Sequence, residues 1–420
     1  MDSASSVERQ ESRVKATSSN VSGDEGSVSL RSTLDLDQCV RCGSCKGLCP
    51  TYGEDVTEGM SARGRVVLLK KFIEGEIGPS EILDERIFSC MLCGACNTLC
   101  PLGIKITDAV YEGRKSLRLS GKRRRFLGVA AKLAFKRAST GFKVLKFLEG
   151  IGEILPLHRL RHFRMLHEMG INISGPALRD GMSLFKVAKP RGRVAVFAGC
   201  TVNFLYPNIG NSLITILNSM NYDVVLPKGE VCCGAPLLGL GFEEDAAELA
   251  ERNMKVFNKM SVEAVIGVCP TCVYFIRDEY KRLFGEGIEK AMEVTQFFVN
   301  VSPDIKKDMG RNLLRVAYHD PCHAIYSMGL HAEPRSLLGL LGVNPIESEK
   351  GCCGFGGTFR VLYPDISKGL LKKRMEGYKE ADMIVTSCPN CILQLRTSIK
   401  GRNIKHIVEL IAEAVQGDKT

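Results

Sequence analysis

The chain has 420 residues, 45% of them apolar, 18 cysteines and a formal net charge of +10. As a soft prior that length suggests two to three domains with real cores, and no apolar run approaches the ~18 residues of a membrane span, which excludes a helical membrane protein. The basic balance favours an acidic partner, an anionic substrate or a membrane surface, while the absence of a recognisable binding motif argues against nucleic acid.

Residues 1–33 are rich in Ser, Glu, Gly and Val and carry no apolar core of a secretory signal. A disordered tail on a soluble, cytoplasmic protein is expected there, with a peripheral place on the inner face of the membrane, through a partner, as the alternative. In a reducing compartment, clustered cysteines mean metal or redox chemistry rather than disulfides.

From Leu34 the chain enters its first cysteine region. Cys39, Cys42, Cys45 and Cys49 precede Pro50, and Cys90, Cys93, Cys96 and Cys100 precede Pro101. Both runs read C-x2-C-x2-C-x3-C-P, the pattern that holds a cubane [4Fe–4S] cluster in bacterial-type ferredoxins. Three close thiolates wrap one cluster and the fourth reaches the other. This assigns Cys39, Cys42, Cys45 and Cys100 to one cluster and Cys90, Cys93, Cys96 and Cys49 to the second. A single run is compatible with zinc or a disulfide frame; two identical runs, each closed by proline, favour iron–sulfur. Between them a helix is expected, capped by Ser61, with Val66, Leu69 and Ile73 on one face and Gly75 as its stop. A short helix bearing Ile82 and Ile87 follows, and Asp108 to Leu119 reads as a helix leaving the clusters.

Residues 120–190 read as a basic helical connector. Lys122, Arg123, Arg124 and Arg125 form a charge run, and Lys132, Lys136, Arg137, Lys143 and Lys146 alternate with Leu127, Leu133, Phe135, Val144 and Leu148. An interfacial helix is one reading and a solvated connecting helix the other. His158, His162 and His167 are read as surface residues rather than ligands.

From Arg193 the pattern becomes short strands alternating with helices, in the same order twice. Strands are expected at 194–198, 224–226 and 264–268, then at 316–318 and 383–386; helices at 208–218, 243–260 and 366–377. Each copy carries a single cysteine, a Cys-Cys-Gly and a Cys-Pro-x-Cys turn that opens a helix. Copy one has Cys200, Cys232, Cys233, Cys269 and Cys272; copy two has Cys322, Cys352, Cys353, Cys388 and Cys391. This is a duplication with a period of about 120 residues. Parallel sheets with flanking helices follow, with the cysteines beyond the strands' carboxyl ends. Adjacent cysteines suit a site bridging separated irons better than one tetrahedral ion. Gly234 and Gly354 supply positive φ beside a bulky group. One zinc per copy is the competing reading, and a zinc-stabilised interaction scaffold is its functional form.

The duplicated module resembles the cysteine-rich domain of the B-type subunit of heterodisulfide reductase. The chain from residue 34 onward resembles the D-type subunit of heterodisulfide reductase and the related iron–sulfur subunits of glycolate, glycerol-3-phosphate and lactate dehydrogenases. Ser61-Ala62-Arg63-Gly64-Arg65 is similar to a segment of the glycolate oxidase iron–sulfur subunit. The resemblance implies a noncubane [4Fe–4S] cluster in each complete module, on the ten cysteines named, beside two cubane clusters.

The expected fold is α+β: a helical ferredoxin-like two-cluster domain (34–119), the connector (120–190), and two α/β modules with parallel sheets (191–310 and 311–420). The expected function is an iron–sulfur oxidoreductase subunit, relaying electrons between the cubane clusters and the modules in the manner of heterodisulfide reductase. The alternative is the electron-transfer subunit of a flavin-dependent glycolate or lactate dehydrogenase. Cys322, Cys353 and His323 are the candidate catalytic residues, with a disulfide as candidate substrate. His319 and His323 flank Cys322 and can deliver a proton or tune the site through hydrogen bonds. No Gly-rich dinucleotide fingerprint is present, so a flavoprotein or a membrane cytochrome b subunit is the expected partner.

Overall fold

The computed structural model describes residues 36–117, 122–136, 138, 140–142, 176–301, 315–349, 351–398 and 403–416. The N-terminal tail, His158, His162, His167 and much of the basic connector lie outside them. The fold is α+β, with a helical N-terminal region followed by two parallel sheets.

The first helix of the N-terminal region that buries a core face, Ala62–Ile73, starts where a hydroxyl satisfies its free amides. Ser61 Oγ accepts from Gly64 N at 2.9 Å. Its buried face carries Val66 and Leu69. Gly75, two residues past the end, adopts φ +76°. Helix Glu81–Phe88 is capped by Ser80, which accepts from Leu83 N. It bears Ile82 and Ile87 as expected, burying Ile87 with Leu83 and leaving Ile82 70% exposed. The third helix is Ile106–Leu117, beginning two residues earlier than its sequence pattern suggests. These helices enclose a small core of their own. Arg114 joins it to the rest: fully buried, it donates to the carbonyls of Ile87, Phe88 and Cys90, and to Gly239 O at 2.6 Å.

Helix Lys122–Lys136 lies against helix Glu243–Phe257. Lys132 and Lys136 pair with Asp245, and Lys136 also with Glu248 at 2.6 Å. These two cations therefore have acidic partners within the chain. No described helix is long and apolar enough to cross a membrane.

Copy one forms a five-stranded sheet. Its strands are β1 (Leu184–Phe185), β2 (Gly192–Phe197), β3 (Tyr222–Val225), β4 (Ala264–Gly267) and β5 (Ala291–Glu293), in the order β1-β3-β2-β4-β5. Only β1 runs antiparallel. Copy two has β6 (Val316–Tyr318), β7 (Met383–Thr386) and β8 (Asn403–His406), all parallel, in that order. An isolated parallel bridge, Ala317 to Ile346, stands where copy one has β3. Both copies thus show one strand order, with the β3 equivalent shortened to a bridge in copy two. β1, β5, β8 and the Ile346 bridge are not among the strands expected from sequence: β5 ends on Glu293 and β8 mixes Asn403, Lys405 and His406 with one apolar residue, whereas the equally short β6 and β7 are runs of buried residues.

The two copies share one hydrophobic core rather than two. Helix Pro207–Ser219 of copy one packs on helix Ile407–Gln416 of copy two, and helix Val294–Val301 of copy one on helix Ala332–Leu340 of copy two. The two pairings exchange equivalent helices, as an internal twofold relation requires. His406, the last residue of β8, fastens the join. Val408 N donates to its Nδ1 at 3.2 Å, so the ring hydrogen is on Nε2, 3.0 Å from Val268 O in copy one.

Candidate metal centre

The two N-terminal cysteine runs adopt the same backbone. Arg41 and Leu92 have φ of 56° and 54°, and Gly43 and Gly94 of 88° and 81°. A left-handed residue on each side of Cys42 and of Cys93 curls the run so that its thiols face inward. One small cavity is lined by Cys39, Cys42, Cys45 and Cys100. A second, of equal empty volume (about 380 Å³), is lined by Cys49, Cys90, Cys93 and Cys96. Each combines three cysteines of one run with the last of the other. Cys96 of the second group feels the charge of Cys45 in the first.

The segment 61–65 holds this arrangement together. Ser61 caps the helix. Arg63 ion-pairs with Glu58 at 2.7 Å and donates to Arg41 O, fixing the first run. A Cβ on Gly64 would stand 1.9 Å from Glu58 O, so only glycine fits. Arg65 is 1% exposed and donates to Arg86 O, Thr51 Oγ1 and Ser89 Oγ, with Nη1 3.8 Å from Cys49 Sγ. Beyond the Ser61 cap, the sequence marked this segment only by its resemblance; its work is to place a buried cation beside the second cavity.

In copies one and two the strand ends deliver the cysteines. Cys269 and Cys388 each cap a short helix, Pro270–Tyr274 and Pro389–Leu395, with proline in the first turn. Gly234 and Gly354 have φ of 89° and 84° and turn the chain after each Cys-Cys pair. Copy one gathers Cys200, Cys232, Cys233, Cys269 and Cys272, which interact in series. Copy two gathers Cys322, Cys352, Cys353, Cys388 and Cys391, with Cys353 Sγ 3.5 Å from Cys391 Sγ. All 18 cysteines are free thiols.

The sites also touch one another, which no spacing could reveal. Cys93 interacts with Cys322, and Cys352 Sγ lies 3.6 Å from Met91 Sδ. Cys269 of copy one hydrogen-bonds to Cys388 of copy two. Asn390 bridges the same boundary, its side chain meeting Cys269 Sγ at 3.7 Å and Thr201 Oγ1 at 2.8 Å.

Electrostatics show what the thiols lack. Burial pushes Cys45 up to about 11 and Cys322 up to about 12. Cys233 is drawn down to about 6 by hydrogen bonds from Cys232 and then Cys272. A buried thiol without a cation resists ionisation, whereas metal binding supplies the charge that makes thiolate the stable form. Eighteen sulfurs in four convergent groups are a donor set suited to iron–sulfur clusters.

Copy two borders an accessible groove. An open groove with about 1260 Å³ of empty space exposes Cys322 and Cys352 between the N-terminal region and copy two, bordered by Leu48, Glu54, Asp320 and Tyr326. Asp320 is not a spare acid there, since Arg335 holds both its oxygens at 2.9 Å. His323 is half-buried, its Nδ1 3.1 Å from Thr271 Oγ1 and 3.8 Å from Cys322 Sγ, and it stacks on Tyr274. Burial lowers its basicity. His319 is buried on the other side, where a ring nitrogen and the sulfurs of Cys353 and Cys391 lie within 4.8 Å of one another.

Residues 35–104 match the family model of the 4Fe-4S dicluster domain, and residues 194–277 and 316–396 that of the cysteine-rich domain, CCG. A two-cluster iron–sulfur domain joined to a duplicated cysteine-rich domain defines this class of chain. A Bacillus subtilis protein named "Probable glycolate oxidase iron-sulfur subunit" is 28% identical, covering 92% of this chain and 95% of the relative. The B-type subunit of fumarate reductase (CoM/CoB) from Methanothermobacter marburgensis is 26% identical over 92% of this chain and 74% of its own length. The D-type subunit of dihydromethanophenazine:CoB–CoM heterodisulfide reductase from Methanosarcina mazei is 24% identical over 91% and 94%. The chain is an iron–sulfur electron-transfer subunit related to these.

Proposed function

We propose that this chain carries electrons along a single line of four iron–sulfur sites and exchanges them with a substrate at the groove of copy two. Cys39, Cys42, Cys45 and Cys100 would hold one cubane cluster, and Cys49, Cys90, Cys93 and Cys96 the other. Each cysteine-rich copy would hold a noncubane cluster on its five cysteines. Such groups supply one-electron transfer at potentials set by hydrogen bonds and burial.

The observation that carries the reading is the continuity of the sulfur groups. Cys45 neighbours Cys96, Cys93 neighbours Cys322, and Cys388 neighbours Cys269. Copy two therefore lies between the N-terminal pair and copy one. The groove also opens at copy two, with Cys322 and Cys352 in its wall. A disulfide reaching it would meet sulfur chemistry at an accessible mid-point of the line, and His323 stands beside Cys322 to hold a proton.

The resemblance to the D-type subunit of heterodisulfide reductase supports a disulfide as substrate, and the completeness of both five-cysteine sets agrees with it. The relative named for glycolate oxidase supports a second reading, in which a flavoprotein partner oxidises a 2-hydroxyacid and this chain only receives electrons. Anaerobically purified protein should contain about sixteen irons per chain and reduce a thiol disulfide with an artificial donor. A fully loaded protein inert toward several disulfides, yet reduced by a flavin-dependent 2-hydroxyacid oxidase, replaces the first reading with the second. Zinc without acid-labile sulfide ends both.

A further inference from the structure

Two aromatic pairs occupy matching places in the two copies. Phe197 ends β2, opposite Gly267 of β4. His319 follows β6, its amide bonded to Val385 O of β7 at 2.8 Å. Each stands three residues before the single cysteine of its copy. In copy one, Phe197 packs on Phe257 with ring centres 5.5 Å apart. In copy two, His319 meets Tyr378 edge-on at 6.1 Å.

The first pair only fills space, but the second is oriented by hydrogen bonds. His319 Nδ1 lies 2.9 Å from the Tyr378 hydroxyl. Arg374 directs Nε to the same oxygen at 2.7 Å, and Nη2 beside it. A guanidinium can only donate, so the tyrosine oxygen accepts from Arg374 and its own hydrogen goes to Nδ1. With Nδ1 accepting, the neutral imidazole carries its hydrogen on Nε2. That N–H is the one donor the ring has left for the side where Cys353 and Cys391 converge.

From this we infer that His319 is a positioning residue of copy two: oriented through Tyr378 and Arg374, it holds an Nε2–H against the Cys353–Cys391 sulfurs and sets the site of copy two at a higher reduction potential than that of copy one. The inference rests on the reading that both copies hold iron–sulfur groups. Reduction places negative charge on sulfur, and a fixed donor stabilises the more negative state. Phe197 offers copy one no such donor. Electrons arriving from the N-terminal pair are then retained at the groove rather than passed on to copy one.

The test is a redox titration followed by low-temperature EPR on the anaerobic full-length chain, with iron and sulfide counted on every sample. His319→Phe is the main variant; His319→Phe combined with Tyr378→Phe reproduces the phenylalanine pair of copy one and guards against a packing defect. The expected result is wild-type iron content, a lower midpoint for one cysteine-module signal, and unmoved midpoints elsewhere. Tyr378→Phe alone shifts the same signal in the same direction by less. Loaded variants with unchanged midpoints overturn the inference alone, and so does loss of iron from copy two in the double variant, which would make His319 a ligand or a structural residue. A wild-type chain without sulfide overturns the cluster reading and this inference with it.

Discussion

Copies one and two share a strand order, a cysteine set and a core, yet they sit in different surroundings. Copy two faces the N-terminal cysteine pair and the open groove; copy one is reached through Cys388 and Cys269. Glu293 ends β5 of copy one and His406 ends β8 of copy two, and each accepts the amide two residues on, from Thr295 at 2.7 Å and Val408 at 3.2 Å. Duplication supplied two equivalent frames, and the contacts at their edges set the cysteines of copy two between those of the N-terminal region and those of copy one.

The serial order gives the largest expected effect. Cys353→Ser should leave both cubane signals intact, abolish the signal of copy two, and block reduction of copy one. Cys233→Ser should leave copy two fully reducible. Freeze-quenched EPR after rapid reduction separates the cases; equal behaviour of the two variants would mean that the copies are fed in parallel. Cys93→Ala should remove one cubane cluster and starve both copies together.

Glu293 probes the frame of copy one through pH. The carboxyl is fully buried, Oε1 has no hydrogen-bond partner among the described residues, and burial pushes its pKa up to about 7. Native protein keeps this proton from about pH 4.5 to 7 while the unfolded chain releases it, so stability falls as pH rises through that window. The loss amounts to roughly 3 kcal/mol above pH 7. Glu293→Gln should match wild type near pH 5 and exceed it near pH 8 in chemical denaturation. His406 has no carboxyl to titrate, and an unchanged pH profile in the Gln variant would remove Glu293 as the cause.

The two Cys-Cys-Gly turns offer a smaller contrast. Both glycines have positive φ, costing an alanine about 1–2 kcal/mol. A Cβ at Gly354 would also come within 2.5 Å of Ser367 O, whereas at Gly234 its nearest neighbour is 3.4 Å away. Gly354→Ala should therefore lower the melting temperature more than Gly234→Ala; the reverse order would contradict the packing described. The smallest effect belongs to the extra helix on copy one. Lys136→Ala removes partly exposed pairs with Asp245 and Glu248 and should cost no more than about 1 kcal/mol. A larger loss would show that this helix contributes to the core.

Local chemistry was legible in the sequence because it is written in spacing and residue type. The two C-x2-C-x2-C-x3-C-P runs, the ten duplicated cysteines, the Ser61 cap and β6 and β7 all follow from neighbours in the chain. Resemblance added the expectation of a noncubane cluster in each module. Distance in the chain hid the rest. Arg65 and Arg114 look like surface charges until the fold buries them against carbonyls. β5 ends on Glu293 and β8 holds one apolar residue among Asn403, Lys405 and His406, so neither shows the apolar run that marks the equally short β6 and β7, and His319 is oriented by Tyr378 and Arg374, more than fifty residues away. The sequence by itself thus determined which thiols exist and in what sets, because ligand spacing is a local constraint. Only the tertiary structure decided the order in which those sets meet and which of two equal copies faces the groove, because that depends on packing between segments the chain keeps far apart.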